Sequence, residues 1–365
     1  MLNPTRPSAE DRRKHLAALH RAVPVTRMVD CGAPLGDALN AHARTCVEAP
    51  PDWDTVCETL AERHAALAAV AEQSGHADTA ARAWRAASAL LQCAQLAFNA
   101  DGPRKRALYQ RSHEALTRHA AIRGDLLACE LPAPQGTLHG WVVQPVHQPA
   151  RAAVLVLGGL SGWGAAYLDM GRALAARGVL AILGEGPGQG LTRLRGGMHL
   201  QPDTLAHFGA FLDHAQSLGA RHLGVWGNSF GGLLGAGLAA RDRRVQALCI
   251  NGAPMAPAVP SFRTAREQMA AVFGVDDEPA LVERLKMLSL EPGRDRIEAA
   301  MLLVEGGRDM LVPADEQAAF LALAPQGRTD TMTWDDGEHT IYNHAEERNA
   351  RVADWFADQL DLRDG

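Results

Sequence analysis

The segment Gly227-Asn228-Ser229-Phe230-Gly231-Gly232 sets a serine between two glycines, directly after the apolar run His222 to Trp226 and before the helix-forming run Leu233 to Ala240. A G-x-S-x-G in that setting predicts a sharp strand-to-helix turn that projects the serine hydroxyl at the end of a sheet. Such a turn strains the serine backbone, and a side chain at Gly227 or Gly231 would meet neighbouring main chain, so both positions call for glycine. A serine hydroxyl is a weak nucleophile until a positioned base takes its proton; the rest of the chain must then offer a carboxylate and a histidine, in that order. The apolar run Met301 to Glu305 leads into Gly306-Gly307-Arg308-Asp309, which puts Asp309 in the loop at a strand's carboxyl end. The run ending at Trp334 leads into Asp335-Asp336-Gly337-Glu338-His339, which puts His339 in the next such loop. Asp315 competes only as a surface acid, and His344 falls at the start of the last helix. The expectation is Ser229 as nucleophile, His339 as base and Asp309 as the acid that orients it.

A tetrahedral oxyanion needs two fixed N–H donors, one from the residue after the nucleophile and one from the loop after an earlier strand. These are Phe230 and Leu160, the latter in Gly158-Gly159-Leu160-Ser161-Gly162-Trp163-Gly164, with Ser161 left open as the alternative second donor. Trp163 and Tyr167 would line the site mouth as aromatic surface, or else pack in the core. A further loop, Gly184-Glu185-Gly186-Pro187-Gly188-Gln189-Gly190, invites a phosphate-binding reading, but Gln189 stands where G-x-G-x-x-G requires its third glycine. It reads as a tight turn near the site. With no G-x-x-x-x-G-K-[ST] and no HExxH, neither a cofactor nor a metal is expected.

Two halves of different periodicity must position these residues. From Ser8 to about Arg123 the apolar residues recur at helical spacing, as in the stripe Trp53, Val56, Cys57, Leu60, Leu67 and Val70. Ser8 with Asp11 has capping-box-like spacing, Asp78 is placed to cap a helix running to about Asn99, and Gly102-Pro103 breaks the chain before another helix. No unit recurs three times at a fixed period, as a solenoid would need. From Asp125 the chain turns to short β-rich runs: 126–131, 138–143, 153–157, 179–183, 222–226, 247–250, 301–305 and 331–334. Several are continuously apolar, and from Ala153 they alternate with helices, which predicts a mainly parallel eight-stranded sheet flanked by helices. The division expected is a helical domain over 1–124 and an α/β domain over 125–365, with a small cap inserted at 255–299.

The chain has 365 residues, 47% hydrophobic and 21% charged, with a net charge of -6, so it can bury a core and builds no basic face for nucleic acid. It has no continuous apolar run of the kind found in secretory signals or membrane spans. Six cysteines (Cys31, Cys46, Cys57, Cys93, Cys129, Cys249) show neither CxxC nor Cys/His ligand spacing. A reduced, cytoplasmic protein is expected, with a small-molecule acyl or ketone substrate as partner, no nucleic acid and no membrane; a homodimer is left open.

Several stretches together resemble the α/β-hydrolases with an N-terminal helical domain, a group that includes the fermentation-respiration switch esterases, dihydroxypseudooxynicotine hydrolase and the fungal pigment-shortening hydrolases. They are Gly75-His76 to Leu108-Tyr109 with Ser112, Leu138-His139-Gly140 with Pro145, Gly158-Gly159-Leu160, Gly186-Pro187-Gly188-Gln189-Gly190, the serine turn, and the Asp309 and His339 loops. The resemblance implies the α/β-hydrolase fold with an all-helical lid that covers the active site, and triad positions for Ser229, Asp309 and His339. Such proteins often carry an acidic residue and a Lys-Glu pair where this chain has Ser161 to Ala166, and a glutamate where it has Leu191. Hydrolysis of an ester or related acyl bond in a medium-sized apolar or aromatic compound therefore ranks slightly above carbon-carbon cleavage beside a ketone. Acyl transfer or cyclisation would use the same residues, and a non-catalytic partner-binding protein would leave them unexplained.

Overall fold

The computed structural model describes residues 9–145, 150–325 and 327–360. Six helices come first: α1 (Ala9–Ala22), α2 (Val25–Asp30), α3 (Leu35–Thr45), α4 (Trp53–Gln73), α5 (Ala77–Gln95) and α6 (Pro103–Arg123). Pro103 opens α6, where its missing N–H costs nothing because the first helical amides have no partner within the helix. Ser8, the capping residue expected for α1, lies outside the described residues. Asp78 does not cap α5: His76 holds that position, and Asp78 sits in the first turn, where its charge opposes the helix dipole's positive end. The helix stops at Gln95, short of Asn99. The α4 stripe holds for Trp53, Val56, Cys57 and Leu60, which are buried, but Leu67 and Val70 are exposed. In the second half of α4 the buried positions are Ala68 and Ala71, whose small side chains let helices approach closely. Leu16, Leu19, Met28, Leu90 and Leu91 join Trp53, Val56, Cys57 and Leu60 in this unit's own core. The Trp53 indole donates to the Cys93 carbonyl at 2.9 Å, and Arg104 bridges Asp54 and Glu58.

The chain divides into two compact units between Leu116 and Thr117, within α6. In the second, β1 (Leu126–Ala133), β2 (Gly136–Val143), β3 (Ala152–Leu157), β4 (Val179–Glu185), β5 (His222–Asn228), β6 (Val245–Asn251), β7 (Ala300–Gly306) and β8 (Thr329–Trp334) form one sheet. All eight segments foreseen in the sequence are strands. Their order is β1-β2-β4-β3-β5-β6-β7-β8; β2 pairs antiparallel with β1 and β4, and every pairing from β4 to β8 is parallel. Helices α7 (Leu168–Ala175), α8 (Gly190–Leu194), α9 (Gly209–Ser217), α10 (Phe230–Ala239), α11 (Arg263–Phe273), α12 (Glu278–Leu288), α13 (Ala314–Ala318) and α14 (Ala345–Gln359) accompany it. β3 and β4 are buried throughout, as strands covered on both faces must be, and their continuous apolar runs follow from that burial. The insertion foreseen between β6 and β7 carries α11 and α12.

Strand order also fixes where a site can form. The chain moves from β3 to β4 on one side and then returns to lay β5 on the other side of β3. At such a reversal the loops leaving two neighbouring strands part, opening a crevice at their carboxyl ends. The loop carrying Leu160 leaves β3 there, and the Ser229 turn leaves β5.

Candidate active site

Ser229 has φ 54° and ψ -133°, a strained conformation for a residue with a side chain, at a cost of about 1–3 kcal/mol. Three features hold it. The Ser229 amide donates to the Asn251 carbonyl at 2.8 Å, tying the turn to the end of β6. A side chain at Gly227 would stand 2.5 Å from the Gly232 Cα, and one at Gly231 would stand 2.5 Å from the Gly158 carbonyl oxygen. The two glycines thus let β5, the first turn of α10 and the loop after β3 close on one another.

The structure brings Ser229, His339 and Asp309 together. The Ser229 Oγ lies 2.9 Å from His339 Nε2, and His339 Nδ1 lies 2.8 Å from Asp309 Oδ2. The Asp309 side chain is 3% exposed and that of His339 12%, so this chain of bonds is largely withdrawn from water. The second Asp309 oxygen accepts the Leu311 and Val312 amides at 2.8 and 3.0 Å, which fixes the carboxylate in the loop after β7. With Nδ1–H given to Asp309, the Nε2 lone pair faces the serine hydroxyl, an arrangement able to take its proton and stabilise the resulting imidazolium. The rivals stand elsewhere. His344 pairs with Asp336 at 2.8 Å, and Asp315 is exposed in the first turn of α13.

The loop after β3 lies against the serine. A side chain at Gly159 would come within 2.9 Å of the Ser229 Cβ and 3.2 Å of its Oγ. Leu160 follows directly, half-buried against the main core, while Phe230 opens α10, where a helix's first amides have no partner within the helix. Trp163 is 1% exposed, donates its indole N–H to the Gly159 carbonyl at 3.1 Å and carries the Arg193 guanidinium 4.7 Å above its ring. Of its two placements the structure takes the packed one, so Trp163 props the loop rather than forming an open mouth. Tyr167 is half-buried, its hydroxyl donating to the Gly162 carbonyl at 3.3 Å.

Other residues hold the loops around the site. Gln189, which breaks the glycine fingerprint, donates to the Gly158 carbonyl at 2.7 Å and accepts the Gly186 amide at 3.2 Å, joining the loops after β3 and β4. Glu185, buried at the end of β4, accepts the Leu191 amide at 2.7 Å. Glu305, at the end of β7, has its carboxyl raised above the ordinary range by burial, offset in part by a hydrogen bond to Thr333. Phe273 of α11 meets the Phe230 ring edge-on at 6.1 Å, so the inserted helices bear on the residue after Ser229. Among the described residues no cluster of His, Cys, Asp and Glu gathers as a metal site, and no helix is long and apolar enough to cross a membrane.

The backbone matches that of a solved 2,6-dihydroxy-pseudo-oxynicotine hydrolase with a TM-score of 0.80 at 22% identity, covering 92% of this chain and 96% of the other. The chain has the α/β-hydrolase fold. A second solved structure, AbyA5, matches with a TM-score of 0.71 at 21% identity over 94% of this chain and 99% of its own. Residues 192–363, spanning the serine turn and the Asp309 and His339 loops, match the prolyl oligopeptidase family. In sequence the chain is similar to alpha/beta hydrolase psoB of Aspergillus fumigatus, 29% identical over 242 residues, 60% of this chain. The match covers 54% of psoB, so the chain spans about half the length of that relative.

Proposed function

We propose that the protein hydrolyses a carboxylic ester or related acyl bond of a medium-sized, largely apolar or aromatic compound through an acyl-enzyme on Ser229. The observation that carries this reading is His339, whose two ring nitrogens meet Ser229 at 2.9 Å and Asp309 at 2.8 Å. His339 Nε2 takes the hydroxyl proton as Ser229 Oγ bonds to the acyl carbon, and Asp309 stabilises the imidazolium. The tetrahedral oxyanion is received by the amides of Phe230 and Leu160. As the oxyanion collapses, the bond to the leaving group breaks and His339 returns the proton to it. Water, deprotonated by the same nitrogen, then attacks the acyl-enzyme and releases the acid. The absence of the acidic and Lys-Glu positions between Ser161 and Ala166 favours esters over carbon-carbon bonds.

The test is covalent labelling with a fluorophosphonate, followed by a screen of aryl esters, thioesters, lactones and β-diketones. Labelling at Ser229, abolished in Ser229→Ala and His339→Ala, with ester turnover reduced by roughly a millionfold in each, is the expected outcome. An inert Ser229 would reduce the protein to a binding module. Turnover of β-diketones alone would make it a carbon-carbon hydrolase, and a transferred or cyclised product an acyltransferase or cyclase.

A further inference from the structure

His339 is followed by two residues in the left-handed region, Thr340 (φ 53°, ψ 19°) and Ile341 (φ 62°, ψ 39°). With Ser229 they are the non-glycine residues of positive φ among those described. A β-branched pair adopts this conformation only when its surroundings impose it. The Thr340 carbonyl is where they do so. It accepts the Arg348 guanidinium at 2.7 Å and the Asn251 side-chain amide at 3.2 Å. Arg348, in α14, is fully buried and also donates to the Asn349 side chain through Nε at 3.0 Å and its second amino group at 2.8 Å. Asn251, also fully buried, donates to the Asn228 side chain at 2.9 Å, while its own carbonyl accepts the Ser229 amide. Asn251 thus touches the residue before Ser229, Ser229 itself and the residue after His339.

We infer that Asn251 and Arg348 are positioning residues: their joint hold on the Thr340 carbonyl keeps the strained His339 turn in place and so aims the imidazole at Ser229 and Asp309 together. Neither touches the reacting atoms. This inference rests on the proposed roles of Ser229 and His339 for its kinetic readout, but the ring's placement can be read without them. Released from the clamp, Thr340 and Ile341 relax toward right-handed conformations and carry the ring away from Ser229. A misplacement of about 1 Å at such a bond costs roughly a hundredfold in rate.

The experiment uses the full chain with two substitutions, Asn251→Leu, which keeps the branched outline and removes the donor, and Arg348→Lys, which keeps the charge and loses the planar fork. Each is measured for melting temperature, for kcat and KM on an aryl ester, and for the proton NMR signal of the His339 Nδ1–H held by Asp309. The expected result is a kcat lower by about 10- to 100-fold with KM unchanged. The Nδ1–H signal is lost or broadened while the fold is kept. Thr340→Gly, which occupies the left-handed region without penalty, restores part of kcat when combined with Asn251→Leu. An Nδ1–H signal and kcat intact in both variants, or a kcat loss that only tracks the fraction unfolded, overturns the inference. If the wild type turns over no ester, the hydrolase proposal fails, and the NMR signal alone decides whether the clamp positions His339.

Discussion

Replacing Gly231 with alanine tests the closure around Ser229 at a single atom. The new methyl group would stand 2.5 Å from the Gly158 oxygen and 2.6 Å from the Leu157 oxygen, where ordinary contact begins at 3.4 Å. Both obstacles are backbone, so no side chain can swing aside, and the loop after β3 must retreat from the first turn of α10 by several tenths of an ångström. Overpacking of this kind costs about 1–3 kcal/mol, and backbone on both sides puts this site at the upper end. In a unit of roughly 250 residues each kcal/mol lowers the melting temperature by about 2–4 °C, so about 3 kcal/mol corresponds to a drop of about 6–12 °C. The same retreat moves the Leu160 amide; if that amide is an oxyanion donor, as proposed above, its loss costs about a hundred- to a thousandfold in kcat. Thermal unfolding followed by circular dichroism and the rate of fluorophosphonate labelling at Ser229 measure the two effects separately. Gly36→Ala is the control: nothing lies within 4 Å of that position in α3, and the change should stabilise by about 0.5–1 kcal/mol. A Gly231→Ala protein that melts and labels like the wild type would refute the steric argument for the turn.

Gln189→Met keeps the volume but removes the donor to the Gly158 carbonyl; kcat should fall by about 10- to 100-fold with KM unchanged, and a change confined to KM would count against a role in placing the loop. Phe273→Ala should cost about 3–5 kcal/mol in urea unfolding and weaken turnover of apolar esters, since Phe273 is fully buried against Phe230; a loss below about 1 kcal/mol would place it outside the packed core. Burial holds the His139 imidazole below its ordinary value of 6.5, against the opposing pull of Glu130. The unfolded chain therefore binds the more protons just below pH 6.5, and this residue makes stability rise with pH there. Replacing it with glutamine should flatten the slope in melting temperature against pH across that window, and an unchanged slope would assign it to other groups.

Much of the sheet and the serine turn was legible because one constraint dictates each residue type. Buried parallel strands must be apolar throughout, and the turn admits only glycine at 227 and 231. Asp309 and His339 could be read from their places after apolar runs. The residues that hold them could not. Asn251 ends a strand like any other polar residue, and Arg348 lies in an amphipathic helix where arginine is ordinarily solvated; their meeting at the Thr340 carbonyl is a property of the fold. Leu67, Val70 and Trp163 mark a second limit. Periodicity identifies an apolar stripe but not where alanines take over the contact, and an indole in a glycine-rich loop can line an opening or wedge beneath it.

The parallel run from β5 to β8 also sets when the site can exist. Ser229 and His339 are 110 residues apart, and each parallel pairing between them requires a crossover segment to be laid down first. β8 is the sheet's edge, bonded to β7 alone, and it delivers His339. A chain in which β5 and α10 have docked but β8 has not carries a formed serine turn with no base beside it. Pairings so distant in sequence are slow to form; on the roles proposed for Ser229 and His339, nucleophilicity at Ser229 requires β8 in place, and the fraction of molecules that react there counts those in which it has docked.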